Sequence, residues 1–170
     1  FEGQFKIVFE LTQMLLKHYP KVFTFWNIFG ISASRLGNHD IAIQAYKNSI
    51  KLNPNSAETH FNMGIIFKAQ GELDDAVLAY KKTLSLKPDH ANAYIDLSII
   101  FCQQGKIDEG IEGFKKALTI APNNAATYNN MGIALRRQGK LNEAADAYKK
   151  AISLKADYAE AYNNIGVVFR

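Results

Sequence analysis

The side chains with potential for catalysis or metal binding are few in this sequence and widely separated. They are four histidines and a single cysteine: His18, His39, His60, His90 and Cys102. Metal sites and nucleophile–base pairs need such residues close together, and no motif spacing of that kind occurs here. We therefore predict no catalytic residue, no metal and no cofactor in this chain, and we expect the histidines to be structural or on the surface.

Asparagine, by contrast, returns at a fixed interval. Asn62, Asn130 and Asn164 lie on a period of 34 residues, with Asp96 in the register between the first two. A primary amide has both donors and an acceptor, so it can bind the N–H and C=O of a peptide backbone without reading side chains. Each such contact contributes only about 0.5–1.5 kcal/mol, so several must act together. The alternative is that these amides bridge neighbouring repeats and bind water.

Aliphatic and basic side chains recur at equally regular positions beside the amides. Together they predict a ligand-binding groove with an amide row, an aliphatic row and a basic margin. The candidate groove residues are Asn27, Asn62, Asp96, Asn129, Asn130, Asn163, Asn164, Ile65, Ile99, Ile133, Lys68, Arg136 and Arg137. Cys102 is expected to face the same groove as a bystander thiol.

The same period organises the rest of the chain. All four prolines, Pro20, Pro54, Pro88 and Pro122, are 34 residues apart, and nine of the 11 glycines lie on the same lattice. Counted from Phe23, position 4 is a ring, position 8 is small, position 20 is small and position 24 is Tyr or Phe. Apolar residues within each unit are spaced three and four apart, which predicts helices. Each repeat is thus predicted to be two helices, the first ended by Gly at position 15 and the second by Pro at position 32.

These columns resemble the tetratricopeptide repeat family, whose 34-residue pattern they follow along the whole chain. The resemblance implies an all-α, right-handed superhelical solenoid of antiparallel helix pairs, about ten helices in all, with the first helices lining a concave groove. We predict one array over residues 1–170. Its parts are a second helix alone at 1–22, complete repeats at 23–56, 57–90, 91–124 and 125–158, and a first helix alone at 159–170.

Departures from the family pattern are local. Ser98 replaces Gly at position 8, Gly110 replaces Ala at position 20, and Ser49 and Thr83 stand where Ala is usual at position 27. Because Gly110 lies in a helix that also contains Gly113, we expect the second helix of the third repeat to be the least stable.

The amide row resembles the asparagine ladder of O-linked N-acetylglucosamine transferases and similar bacterial arrays, which implies binding of an extended polypeptide. Chaperone-docking members instead hold a C-terminal carboxylate with Lys at position 5 and Asn at position 9. This chain has Ile or Val at position 9, so a carboxylate clamp of that kind is not expected. The predicted function is a non-catalytic scaffold for protein or peptide ligands.

An alternative is the substrate-recruiting region of a larger transferase. RNA binding would require a denser basic groove than a formal net charge of +4 provides, so nucleic acid is not a predicted partner. No apolar run approaches the roughly 18 residues of a membrane span, so no membrane partner is predicted, and a cytoplasmic location is the default expectation. The two half-repeats are complementary, which predicts head-to-tail self-association as a further option.

Overall fold

The computed structural model describes residues 2–168, and of Glu2 only the backbone. Within that range the chain forms ten α-helices and no strand, as the repeat pattern predicted. The helices fall into two compact units that divide between Pro88 and Asp89, with α1–α5 in unit 1 and α6–α10 in unit 2. The helices are α1 (Glu2–His18), α2 (Phe23–Arg35), α3 (His39–Leu52), α4 (Ala57–Gln70), α5 (Leu73–Leu86), α6 (Ala91–Gln103), α7 (Ile107–Ile120), α8 (Ala125–Arg137), α9 (Leu141–Leu154) and α10 (Ala159–Val168).

The helix bounds confirm the all-α repeat fold and follow the predicted 34-residue frame. Each complete repeat contributes one packed pair: α2 with α3, α4 with α5, α6 with α7 and α8 with α9. The predicted terminal halves correspond to α1 and α10, although Phe1, Phe169 and Arg170 lie outside the described residues. The right-handed superhelical course of one array over residues 1–170 stays a prediction.

Glycine ends the first helix of each pair by adopting a conformation that other residues avoid. Gly71 follows α4 with φ of 81°. In this left-handed region a side chain would clash with the backbone, whereas glycine has no such penalty. The turn directs the Glu72 N–H back to the Phe67 carbonyl oxygen at 2.9 Å and starts α5 two residues later.

The two helices of a pair touch where a glycine of the first meets a tyrosine ring of the second. A Cβ added at Gly64 would lie 2.7 Å from Cε1 of Tyr80, and one at Gly132 would lie 2.6 Å from Cε1 of Tyr148. Both rings are fully buried. Position 8 is therefore small because the ring at position 24 occupies the space of its side chain.

In the third repeat the glycines at the helix contact lie on the second helix, α7, and not on the first helix, α6. Ser98 takes position 8, and its side chain occupies the space that a side chain at Gly113 would need. Likewise, the Cys102 side chain occupies the space that a side chain at Gly110 would need. The two glycines of α7 thus have a packing role that the sequence did not reveal, and the low stability expected for this helix stays a prediction.

Hydroxyl groups occupy position 27 in the first two complete repeats. Ser49 Oγ donates to the Phe23 carbonyl at 3.1 Å, which links α3 to the start of α2. Thr83 Oγ1 lies 3.0 Å from the Ala79 carbonyl of its own helix and 3.4 Å from the Ala57 carbonyl of α4. Both side chains are fully buried. The departure from Ala at Ser49 therefore adds a hydrogen bond between the two helices of its pair, whereas the shorter contact of Thr83 lies within α5.

The ring at position 4 connects each of the first two repeats to the proline six residues earlier. Trp26 Nε1 donates to the Pro20 carbonyl at 2.8 Å, and His60 Nε2 lies 3.1 Å from the Pro54 carbonyl. Since a carbonyl oxygen only accepts, His60 carries its proton on Nε2. His90 is structural too, because its Nδ1 accepts the Ala93 N–H at the start of α6. The structural role expected for histidine is confirmed at His60 and His90.

The close contact at position 8 predicts opposite effects of one substitution at two equivalent sites. Gly132→Ala should destabilise the protein because its Cβ meets the Tyr148 ring, whereas Gly166→Ala should be neutral or stabilising because no atom of the described residues lies within 4 Å of its added Cβ. Alanine in an open helical position gains up to about 1 kcal/mol over glycine, while overpacking costs about 1–3 kcal/mol. Urea denaturation followed by circular dichroism measures both, and equal shifts for the two variants would contradict this packing.

Burial of His60 predicts an acid-sensitive contribution to stability. Desolvation lowers the pKa of His60 below the ordinary value of 6.5, although the hydrogen bond to Pro54 opposes this shift. The folded protein then binds fewer protons at this residue than the unfolded chain. The contribution is therefore complete above about pH 6.5 and is lost as the pH falls through the folded-state pKa.

The matched variant is His60→Trp, which keeps the N–H donor, as Trp26 does, but does not titrate. The melting temperature of the wild type should fall more steeply than that of His60→Trp between pH 7 and pH 5. The histidines at positions 18, 39 and 90 are present in both proteins and cancel in the comparison. Parallel melting curves across this range would contradict the assignment.

Candidate functional site

Each unit has a cavity on the side of its first helices, and the same repeat positions line both cavities. Positions 9, 12, 13 and 24 of one repeat meet positions 6 and 9 of the next. These include predicted groove positions, so the first helices do bring together side chains that lie far apart in the sequence. The ring at position 24 also lines both cavities, as Tyr46 in unit 1 and Phe114 in unit 2, and the sequence pattern does not reveal this contribution.

The cavity of unit 1 lies between α2, α3 and α4 and has a volume of about 450 Å³. Ile31 and Ile65 form apolar walls, and the remaining lining is polar. Asn62 is half-buried, Arg35 is exposed and Tyr46 is buried. Its lining residues are Ile31, Ser34, Arg35, Tyr46, Asn62 and Ile65.

The cavity of unit 2 lies between α6, α7 and α8, is smaller at about 130 Å³, and has a more apolar lining. Phe114 stands where unit 1 has Tyr46, and Cys102 stands where it has Ser34. Arg137 borders the cavity and donates from Nη1 to the Cys102 carbonyl oxygen at 2.8 Å. The full lining is Ile99, Cys102, Gln103, Phe114, Asn130, Ile133, Ala134 and Arg137.

Cys102 lines this cavity as expected from its repeat position. Burial raises the pKa of its thiol, and the nearby Arg137 charge opposes that rise. The thiol form therefore predominates at neutral pH, and the side chain behaves as a small apolar group. The residues described by the structure contain no cluster of three His, Cys, Asp or Glu side chains that could hold a metal ion.

The prediction that Asn129 is a groove residue is wrong, because its side chain is not accessible to a ligand. Its side chain is 0% exposed. Its Nδ2 donates to Glu160 Oε1 at 3.0 Å, and its Oδ1 accepts from Asn164 Nδ2 at 3.0 Å. This amide joins α8 to α10, so it bridges adjacent repeats instead of facing a ligand. The bridging alternative thus holds for the pair Asn129 and Asn164.

The remaining predicted amides differ in their surroundings. Asn130 is half-buried, lines the unit 2 cavity and makes no hydrogen bond within the described part of the chain. Asn163 is exposed. Asn27 is half-buried, and its Oδ1 is enclosed without a hydrogen-bond partner among residues 2–168.

The other candidate residues lie on the first helices at the predicted positions, but only some of them line a cavity. Asp96, Lys68 and Arg136 are half-buried. Arg136 lies beside Tyr148; burial raises the pKa of that phenol, and the guanidinium opposes the rise. Arg170, a further basic residue of the predicted margin, is outside the described residues.

The fold defines a class of protein built from packed pairs of antiparallel helices. Family models confirm this class: a tetratricopeptide repeat model matches residues 89–157, a TPR repeat model matches 35–71, and a second tetratricopeptide repeat model matches 57–90. The matches together extend from residue 35 to residue 157. This chain belongs to the tetratricopeptide repeat family.

Solved structures of the same architecture are similar over most of the chain. One MamA structure has 25% sequence identity and a TM-score of 0.85, covering 93% of this chain and 92% of that one. MamA from Desulfovibrio magneticus RS-1 has 19% identity and a TM-score of 0.83, with coverages of 92% and 89%. YrrB, described as a TPR protein with an unusual peptide-binding site, has 15% identity and a TM-score of 0.82, with coverages of 93% and 81%. No curated protein sequence gave a significant match.

The two neighbouring asparagines of α8 provide a direct test of which amide is structural. Asn129→Ala should lower the free energy of unfolding by about 1–3 kcal/mol, because it leaves the Glu160 and Asn164 side chains without their buried partner. Asn130→Ala should change it by less than about 0.5 kcal/mol. Urea denaturation gives both values, and an equal loss in the two variants would contradict the distinction.

Proposed function

We propose that this chain is a non-catalytic scaffold that binds an extended segment of a protein partner across its first helices. The observation that supports this most directly is Asn130, an amide that makes no hydrogen bond within residues 2–168 and borders a cavity beside Ile99 and Ile133. Buried or half-buried amides are normally paired in folded proteins, so an open amide beside apolar side chains is suited to an incoming backbone.

The spacing of the repeats matches an extended ligand. Packed helices lie about 8–10 Å apart, and an extended peptide rises about 3.3 Å per residue. Adjacent repeats therefore meet about every third residue of such a ligand. The isoleucines at position 9 contact apolar side chains in this arrangement, and the amide at position 6 holds the backbone.

The structure changes the extent of the proposed amide row. Asn164 donates to Asn129, so it contributes to repeat stacking as well as to the surface. Asn130 in unit 2 and Asn62 in unit 1 remain the amides that border a cavity. The affinity for the ligand then depends mainly on apolar contact, and each amide sets the direction and register of the bound peptide.

The transferase alternative receives no independent support. The similar structures named above are not described as transferases, and no observation on residues 2–168 favours the transferase alternative. Within those residues no helix combines the length and the apolar character needed to cross a membrane.

The test uses capped peptide libraries, since the ligand is unidentified. Acetylated and amidated nonapeptides with mixed Val, Leu, Ser and Ala at all positions are passed over the immobilised chain, and binding is measured by surface plasmon resonance. Asn130→Ala should weaken binding about threefold to tenfold, the loss expected for one neutral hydrogen bond. The melting temperature should remain unchanged.

Asn142→Ala is the matched control, because Asn142 is an exposed amide on the second helix of the same repeat. It should bind the libraries as the wild type does. Binding that is absent in the wild type, or equal loss in Asn130→Ala and Asn142→Ala, would overturn the proposed function.

A further inference from the structure

We propose that the cavity of unit 1 is a subsite for an acidic side chain, an aspartate or glutamate of the bound segment. The inference rests on the proposed function, because it names the chemistry of one residue in that segment. It concerns Ser34, Arg35, Tyr46 and Asn62, which converge on one cavity from three helices.

Arg35 provides the charge for this subsite. Its guanidinium carbon lies 5.8 Å from the centre of the Phe5 ring, a cation–π contact that favours this position of the group. Among residues 2–168 no carboxylate pairs with Arg35. Arg35 lines the cavity, and a guanidinium can donate two parallel N–H bonds to a ligand carboxylate.

Tyr46 provides a second, independent indication. The residue is only 1% exposed, yet it lines the cavity, and its hydroxyl makes no hydrogen bond within the described part of the chain. Burial raises the pKa of this phenol, and the Arg35 charge only partly offsets that rise. The hydroxyl therefore keeps its proton at neutral pH and is a donor for an anion.

Ser34 and Asn62 complete the donor set around the same space. Neither side chain makes a hydrogen bond among residues 2–168, and both line the cavity. A carboxylate has two oxygens with about four acceptor sites. The guanidinium, two hydroxyls and one amide offer donors of matching number, while Ile31 and Ile65 contact the aliphatic part of the ligand side chain.

Unit 2 shows what the same cavity is like without this chemistry. At the equivalent repeat positions Ser34 becomes Cys102, Arg35 becomes Gln103 and Tyr46 becomes Phe114. The cavity is smaller, and the Arg137 guanidinium that borders it already donates to a backbone carbonyl. The polarity of the unit 1 cavity is therefore not imposed by the fold, since the fold accommodates an apolar set at the same positions.

The experiment compares three capped nonapeptide libraries that differ only at the central residue, fixed as Glu, Gln or Lys. Capping removes the terminal charges, so the central side chain is the only variable charge. At 50 mM NaCl the Glu library should bind the immobilised wild type about tenfold more tightly than the Gln library, the difference expected for a charged hydrogen-bonded pair. The Lys library should bind most weakly.

Two variants use residues that unit 2 already carries at the same positions, so both are compatible with the fold. Arg35→Gln should abolish the preference for Glu, and Tyr46→Phe should reduce it about threefold, in line with one neutral hydrogen bond. Lys47→Gln is the control, because it removes one positive charge from the exposed surface of the adjacent helix α3. It should keep the full preference. Circular dichroism verifies that all three variants are folded.

The outcomes separate this inference from the proposed function. Equal binding of the Glu and Gln libraries to the wild type would overturn the acidic subsite and leave the scaffold proposal intact. An equal loss of preference in Arg35→Gln and Lys47→Gln would overturn it as well, because the effect would then be general electrostatics. Tighter binding of a Gln library with a free C-terminus than of the capped Glu library would assign the subsite to a terminal carboxylate and overturn the side-chain assignment. Failure of every library to bind would remove both proposals.

Discussion

The close approach of the two helices in each pair is the constraint on which the rest of the structure depends. A glycine at position 8 lets the ring at position 24 lie directly against the backbone of the first helix, as Gly64 does for Tyr80. The third repeat keeps the approach by placing Ser98 and Cys102 against glycines of α7. Because packed interiors leave no unused volume, a large residue on one helix requires a small one opposite. The contact also brings the ring at position 24 to the edge of the first-helix face.

The two neighbouring asparagines of α8 have different roles. Asn129 at position 5 accepts from Asn164 at position 6 of the next repeat, so both serve the junction of α8 with α10. Position 5 of the preceding repeat is Ile95, whose side chain has no polar atom, and Asn130 makes no hydrogen bond among the described residues. The same residue type at the same repeat position is structural in one repeat and open in another.

The two cavities illustrate how a repeat fold separates architecture from specificity. Both are bounded by the same positions, but Tyr46, Ser34 and Arg35 make one polar, whereas Phe114, Cys102 and Gln103 make the other more apolar. Phe114 keeps the approximate shape of Tyr46, and Gln103 lies at the cavity edge, whereas Cys102 packs against Gly110. Ligand preference can therefore differ from repeat to repeat while the helix pairs remain the same.

The sequence by itself determined the all-α fold, the repeat frame and the helix pairs, because a period of 34 fixes glycine, ring and proline positions that only one local geometry satisfies. It also placed the candidate residues on the first helices. The tertiary structure alone decided which of them are open, since Asn129 and Asn130 are adjacent in sequence and differ only in what the next repeat brings against them. It likewise showed that Gly110 and Gly113 make room for Cys102 and Ser98, and that Tyr46 reaches a cavity. Those facts depend on contacts between helices, and the periodicity of the sequence does not specify which side chains make such contacts.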